Sequence, residues 1–324
     1  MTVSPDEPSA ALPGDLAAPP TEQRNPRTRG IDVVPTLDVL RLLNAEDATV
    51  PGAVERVLGA LALVVDEAAD RMRRGGRVHY FGAGSSGRIA MLDATELVPT
   101  FGLEWGMVVA HLAGGEDAMV RAVEGAEDDA ALGGAEAGSV GALDTVIGLS
   151  ASGRTPYVAG ALSAACARGA FTAVITCNSG SPLLSLAEVA IVPATGPEAI
   201  AGSTRMKATT AMKLVLNSFS TALMIRLGKT YSNLMVEVSA TNNKLRGRKV
   251  LILREASGAD PASCDAALQA AGGDLRLAMI TLLGDIDVPT ARDALTRGGG
   301  SVRGALDVIQ QNLRQEIPNQ RLSS

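Results

Sequence analysis

The chain has 324 residues, of which 46% are hydrophobic and only 2% aromatic, with a formal charge of −6 and a pI near 5.1. That length allows one large domain or two, with a core built from Ala, Val, Leu and Ile. An acidic chain poor in rings supplies neither the basic field nor the stacking surfaces that a nucleic acid needs, so no nucleic-acid partner is expected.

Three cysteines, Cys166, Cys177 and Cys264, are widely spaced and odd in number, which favours a reducing compartment over a disulfide framework. With His79 and His111 the sole histidines, a clustered zinc site is not expected, and no metal or cofactor is called for. No apolar run approaches the roughly 18 residues of a membrane span. The first thirty residues carry Asp6, Glu7, Asp15 and Glu22 and no apolar signal core. A cytoplasmic protein without a membrane partner is the expectation.

Residues 1–30 are rich in Pro, Ala, Thr and Arg without periodicity, predicting a disordered leader that ends in an arm. N-terminal helices follow over 31–59, one of them at Thr36 to Asn44, and a longer helix runs from Val54 to Arg73 before Gly75-Gly76. A strand is predicted at Val78 to Phe81, a helix over Ser86 to Leu97 closed by Pro99, a strand near Met107 to His111, and a helix after Gly114-Gly115. Thr145 to Leu149 reads as a buried strand leading through a Ser/Thr loop into a helix that ends near Arg168, and Phe171 to Thr176 and Val189 to Val192 as two more strands. This alternation predicts an α/β fold, a parallel sheet flanked by helices in a flavodoxin-like, doubly wound arrangement.

After Ser203 the chain changes character. Continuous helical patterns run from Thr204 to Arg226 and from about Asn233 to Ser257, and their Ala and Met content suggests burial in a subunit interface. Pro261 to Ala271, Asp274 to Leu283 and Pro289 to Thr296 predict a small helical bundle. The expected division is a sheet domain over 60–225, connecting helices over 226–257, a C-terminal bundle over 258–310 and a tail over 311–324.

The chemistry concentrates at two loops. In Gly82-Ala83-Gly84-Ser85-Ser86-Gly87-Arg88 a β-branched and aromatic run breaks into Gly and Ser and then into a helix. Backbone N–H groups and hydroxyls at a helix N-terminus favour an anion, and the spacing fits neither the dinucleotide nor the P-loop fingerprint. A phosphate on a small molecule is therefore expected at Gly84, Ser85 and Ser86. The second loop, Ser150-Ala151-Ser152-Gly153-Arg154-Thr155, again joins a strand to a helix. Two such loops on neighbouring parallel strands converge at the carboxyl edge of the sheet. Helix capping would use one hydroxyl; Ser150, Ser152 and Thr155 offer three, which favours phosphate contact. Arg88 and Arg154 either neutralise charge there or face solvent.

Two carboxylates stand out. Glu96 falls in the last predicted turn of the helix opened by the first loop, where the dipole and apolar neighbours disfavour its ionised form, as a general acid requires. Glu124 lies in an acidic cluster, Glu124-Gly125-Ala126-Glu127-Asp128-Asp129, for which a solvated acidic helix end is the plain alternative.

The two loops together resemble the sugar isomerase (SIS) domain. Within that superfamily, Asp93-Ala94-Thr95-Glu96 with Pro99-Thr100-Phe101-Gly102, Ala113-Gly114-Gly115, Ala122-Val123-Glu124-Gly125-Ala126-Glu127-Asp128, Gly202-Ser203-Thr204-Arg205-Met206-Lys207-Ala208 and Lys213-Leu214-Val215-Leu216-Asn217 resemble the N-acetylmuramic acid 6-phosphate etherase family. The resemblance spans about Thr21 to Gly304. It implies Glu96 and Glu124 as the acid/base pair, with Glu96 the proton donor; Ser203 and Thr204 beside the substrate; a UBA-like C-terminal unit; and a homodimer. It also implies a carbon–oxygen lyase acting on a phosphorylated amino sugar. Leu97-Val98 before Pro99, and Thr209-Thr210-Ala211, depart from the family pattern. An aldose–ketose phosphosugar isomerase and a non-catalytic phosphosugar sensor use the same loops and are the alternatives.

Overall fold

The computed structural model describes residues 19–237 and 243–320. Two 3-10 turns, Pro20–Glu22 and Pro26–Thr28, lead into α1 (Thr36–Asp47), α2 (Val50–Glu55) and α3 (Leu58–Arg73). The helix expected to run unbroken from Val54 is instead bent by 58° between α2 and α3. Val57 leaves helical geometry at φ −109°, ψ 3°, and its N–H bonds Val54 O, three residues back, at 3.0 Å.

The sheet domain continues through β1 (Val78–Gly82), α4 (Gly84–Phe101), β2 (Val108–Leu112), α5 (Asp117–Val120), α6 (Ala130–Glu136), β3 (Thr145–Leu149), α7 (Pro156–Ala167), β4 (Phe171–Ile175), β5 (Val189–Ile191) and α8 (Lys207–Arg226). All five strands are parallel in the order β2-β1-β3-β4-β5, the doubly wound arrangement expected. Period-two alternation sorts the side chains. Val78, Tyr80, Ile147, Leu149, Ala173 and Ile175 join the core under α3, α4 and α8, while Phe81, Val146 and Val174 pack toward α7.

Helix α4 does not stop at Pro99 but runs to Phe101, where Gly102 takes a left-handed conformation (φ 59°) and its N–H bonds Val98 O at 3.1 Å. Pro99 removes only the donor to Thr95 O. Thr95 is exposed, so water can replace that donor, while Leu97 and Phe101 bury apolar surface on either side.

Beyond α8 the expected helix from Asn233 is replaced at its start by a hairpin of β6 (Thr230–Tyr231) and β7 (Leu234–Met235). Its Tyr231, Leu234 and Met235 pack on the C-terminal core, a burial that helical spacing does not provide. The helical part, α9 (Asn243–Ser257), begins after residues 238–242, which lie outside the described residues. α10 (Pro261–Ala270), α11 (Leu275–Gly284) and α12 (Val288–Arg297) form the expected bundle, and α13 (Val302–Gln320) carries it through positions assigned to a tail. Asp260, Asp274 and Asp287 each accept backbone N–H groups at the starts of α10, α11 and α12, the reason Asp precedes each apolar run.

Among the described residues no single helix is long and apolar enough to cross a membrane. Of the leader expected to be disordered, residues 1–18 lie outside the description, but residues 19–30 are placed against the sheet domain, with Thr21, Asn25 and Thr28 buried.

Candidate active site at the strand-order reversal

With order 2-1-3-4-5 the strand sequence reverses between β1 and β3, and open α/β sheets bind ligands at the carboxyl ends of those strands. Both hydroxyl-rich loops lie there. β1 hands over to α4 within two residues because Gly82 and Gly87 pass backbone on backbone: a Cβ on Gly87 would stand 2.7 Å from Gly82 O. No side chain caps α4. Ser85 is half-buried and Ser86 buried, and neither hydroxyl has a partner among the described residues. The first turn thus keeps its N–H groups and two hydroxyls unspent, the arrangement an oxyanion requires. Arg88 takes no part: its guanidinium donates to Ala118 O at 2.9 Å and Arg121 O at 3.4 Å.

The second loop is organised from within. Ser150 is 2% exposed, and its hydroxyl pairs with Thr155 Oγ1 at 2.7 Å and accepts the Gly153 N–H at 3.0 Å. Thr155 precedes Pro156 at the start of α7 without capping it by its side chain. The loop after β4, which the sequence reading did not single out, supplies the frame. Asn178 Nδ2 donates to Ser152 O at 2.8 Å, Ser181 Oγ to Gly153 O at 2.6 Å, and Thr176 Oγ1 to Ala151 O at 3.4 Å. Ser150 therefore shapes the loop, while the half-buried Ser152 and Thr155 border its open side.

The two carboxylates are placed differently. Glu124 is exposed in the turn before Gly125. Val123 beside it closes on Gly114, just past the end of β2, where a Cβ on Gly114 would meet Val123 Cβ at 2.9 Å. With Arg88 tying the preceding segment to the start of α4, Glu124 belongs to the same carboxyl edge as the loops. Glu96 does not. It is exposed on α4, and ten residues at 1.5 Å each put it about 15 Å along the axis from Ser86. Because α4 continues to Phe101, Glu96 also lies before the last turn, so neither the helix end nor the apolar surroundings expected for it are found in one chain.

Two family models match. The glucokinase regulatory protein N-terminal SIS domain covers residues 60–166 and the SIS domain residues 120–222. The N-acetylmuramic acid 6-phosphate etherase of Thermobifida fusca is 57% identical over 84% of this chain and 89% of its own. This chain belongs to the N-acetylmuramic acid 6-phosphate etherase family. The etherase of Serratia proteamaculans is 50% identical over 90% of this chain and 99% of its own, and that of Streptomyces coelicolor 49% over 94% and 98%. Among solved structures, a phosphoheptose isomerase from Neisseria gonorrhoeae covers 58% of this chain and 99% of its own at a TM-score of 0.46 and 14% identity.

The etherase motif Ser203-Thr204-Arg205-Met206-Lys207 enters α8 at the same carboxyl edge, with Ser203 and Thr204 half-buried. What fixes it comes from far along the chain. Glu198, fully buried, accepts Lys207 N and Ala208 N at 2.9 Å each, capping α8 from outside. Lys207 is fully buried; its Nζ donates to Glu46 Oε2 at 2.7 Å and Thr195 O at 3.0 Å. Glu46 also accepts Arg27 Nε at 2.5 Å and Nη2 at 2.7 Å. The Arg27 bonds, with those of Lys207, hold the Glu46 carboxyl at about 2 against burial. The segment before α1 is stitched alongside: Gly202 N donates to Thr21 O at 3.0 Å, Thr28 Oγ1 to Ala199 O at 2.7 Å and Asn25 Nδ2 to Pro197 O at 3.3 Å.

One turn before Glu96, the buried Asp93 accepts Tyr80 OH at 3.0 Å and Ser220 Oγ at 2.9 Å, locking α4 to β1 and α8. Burial pushes its carboxyl up to about 6 against both bonds. On the other face, His79 Nδ1 and His111 Nε2 approach to 3.1 Å, and burial with the neighbouring His79 pushes His111 down to about 4. The two groups act oppositely on stability. Between pH 4 and 6 the native chain holds a proton on Asp93 that the unfolded chain releases, so this group lowers stability as pH rises. His111 lacks a proton that the unfolded chain binds, so it raises stability as pH rises. Asp93→Asn should therefore make stability climb more steeply from pH 4 to 6 than in the wild type, by about 2 kcal/mol. Urea unfolding at pH 4, 5, 6 and 7 reads this directly, and parallel curves for the two proteins would refute it.

Proposed function

We propose that this chain cleaves the D-lactyl ether of N-acetylmuramic acid 6-phosphate, giving N-acetylglucosamine 6-phosphate and D-lactate, as a carbon–oxygen lyase of cell-wall amino-sugar recycling. Membership in the etherase family over nearly the whole chain carries the reading. The unspent hydroxyls at the β1/β3 reversal support it.

The 6-phosphate sits on the N-terminus of α4 and the rim of the second loop, held by Gly84 N–H, Ser85, Ser86, Ser152 and Thr155, with Ser150 shaping that loop and Ser203 and Thr204 beside the ring. Anchoring one end of the open-chain sugar fixes C2 and C3 against the acid/base groups. The C1 aldehyde acidifies the C2 proton. Glu124 takes that proton, the C3–O bond breaks with its electron pair leaving on lactate, and Glu96 protonates the departing oxygen. Water then adds at C3 of the conjugated alkene while a proton returns to C2. Assay of free D-lactate separates this reaction from aldose–ketose isomerisation, which releases none.

The span from Ser86 to Glu96 exceeds a hexose phosphate measured from phosphorus to C3. We infer that the active form is a homodimer in which Glu96 of one copy acts on the sugar held by the loops of the other. Exposed Leu92 and Trp105 near Glu96 are suited to burial in such an interface. The three free cysteines fit a reducing cytoplasm. Because Asn178 holds the second loop, Asn178→Ala should raise KM about tenfold with a smaller change in kcat, the size of one lost buried hydrogen bond. Steady-state lactate release checks it; an unchanged KM would remove Asn178 from this role.

A further inference from the structure

Away from the switch point, a cavity of about 580 Å³ opens where the last turn of α8 and the β6–β7 hairpin meet the loop before α13. Arg73, Arg226 and Arg303 line it, together with the hydroxyl residues Thr230, Ser232 and Ser301. We propose that this cavity is a second anion site, built for a phosphate-type dianion and independent of the reading of the switch-point site.

The charge balance points to an anion. Among the described residues Arg226 has one carboxylate partner, Asp66 at 3.0 Å, and both side chains are more than half exposed. Arg73 donates to a carbonyl, Arg226 O at 2.6 Å, and has no carboxylate partner among the described residues. Arg303 stacks on Tyr231 at 5.0 Å from the ring centroid and likewise has none among the described residues. Arg73 and Arg226 each offset the partial negative charge of a helix C-terminus, worth about half a unit. Asp66 and both helix ends together still leave positive charge in excess, and the N-terminus of α13 adds to it. Three guanidiniums gathered in a chain of net charge −6 repel one another unless a counter-charge enters.

The walls are held in place. A Cβ on Gly228 would stand 2.5 Å from Ser301 Cβ, so the end of α8 and the start of α13 meet without slack. Ser301 Oγ caps α13 by accepting Gly304 N at 3.0 Å, leaving the Val302 and Arg303 N–H groups without intrahelical acceptors. Ser232 adopts φ 51°, a left-handed conformation costly for a side-chain-bearing residue, at the tip of the hairpin. Guanidinium groups and the first-turn N–H groups of α13 are the donors a tetrahedral oxyanion takes, and an anion among them would bridge the sheet domain and the C-terminal bundle.

Calorimetric titration of the full chain carrying Ser85→Ala, Ser86→Ala, Ser152→Ala and Thr155→Ala removes the side-chain contacts of the switch-point site, and arginine substitutions then assign the remaining binding to the cavity. Inorganic phosphate should bind that variant saturably, one per chain, and weaken as salt is raised. Adding Arg73→Ala and Arg303→Ala, both exposed positions, should cost about tenfold in affinity per arginine, with thermal unfolding confirming the fold. A parallel titration with N-acetylglucosamine 6-phosphate tells free phosphate from a sugar phosphate as the ligand. Absence of saturable phosphate binding in the quadruple variant, or affinity indifferent to the arginines, would overturn the proposal.

Discussion

Glu96→Gln should abolish release of D-lactate, by about 10² to 10⁴-fold, while leaving the affinity for N-acetylglucosamine 6-phosphate within a factor of about two. The amide keeps the shape of the side chain but cannot pass a proton to the departing lactate oxygen. It touches none of the loops that hold the phosphate, so binding and chemistry separate. Mixing subunits then locates the residue. A Glu96→Gln chain has intact loops, and a chain with Ser85→Ala and Ser86→Ala has an intact Glu96. If the acid comes from the second copy, the mixed dimer contains one complete site and recovers activity that neither parent shows. If Glu96 serves its own chain, every site in the mixture lacks one part and lactate release stays at the level of the parents. Near-full activity of Glu96→Gln alone would remove it from the reaction.

Glu46→Leu should cost about 3–5 kcal/mol of stability, because it strands the fully buried Lys207 ammonium with only a carbonyl as partner. Arg27, whose side chain is 60% exposed, loses little because water replaces its partner. The double variant Glu46→Leu, Lys207→Met should recover most of the loss, since an apolar pair of similar volume costs far less than one unpaired buried charge. Chemical denaturation of the two single variants and the double variant measures this coupling; additive losses would contradict it. The pH dependence has a definite sign. Glu46 carries its carboxyl from an ordinary value of 4.5 down to about 2. Its contribution is complete above about pH 4.5 and is lost as pH falls through about 2. The wild type should therefore lose stability in that acid window, and Glu46→Leu should lack that component. The cluster also links stability to function, since it seats the entry to α8 where Ser203 and Thr204 lie.

Local pattern made much of this architecture legible. The β-branched runs at Val78, Thr145 and Phe171 alternate in burial between the two helix layers as a parallel sheet requires, and the glycines and serines that follow two of them mark the carboxyl edge. Local pattern misled where tertiary burial outweighed it. Pro99 would end an isolated helix, yet Leu97 and Phe101 hold α4 together past it. The Leu-Met pair at 234–235 reads as helix by spacing, yet it pairs with Thr230-Tyr231 because that face covers the C-terminal core. The site divides along the same line. Ser85 and Ser86 were readable because their chemistry is local to one loop. Asn178 and Ser181 were not, because they act on a loop more than twenty residues away. Glu46 and Lys207 stand 161 residues apart, and no periodicity signals their meeting. The placement of Glu96 followed from the family motif, but its distance from the phosphate loop appeared only when the length and direction of α4 were known.

The reaction itself is tested most directly by running it in water enriched in ¹⁸O and locating the label by mass spectrometry. Elimination followed by addition at C3 predicts ¹⁸O in the C3 hydroxyl of N-acetylglucosamine 6-phosphate and none in the hydroxyl of D-lactate. Label in the lactate hydroxyl, or a rearranged sugar phosphate with no lactate released, would contradict the account.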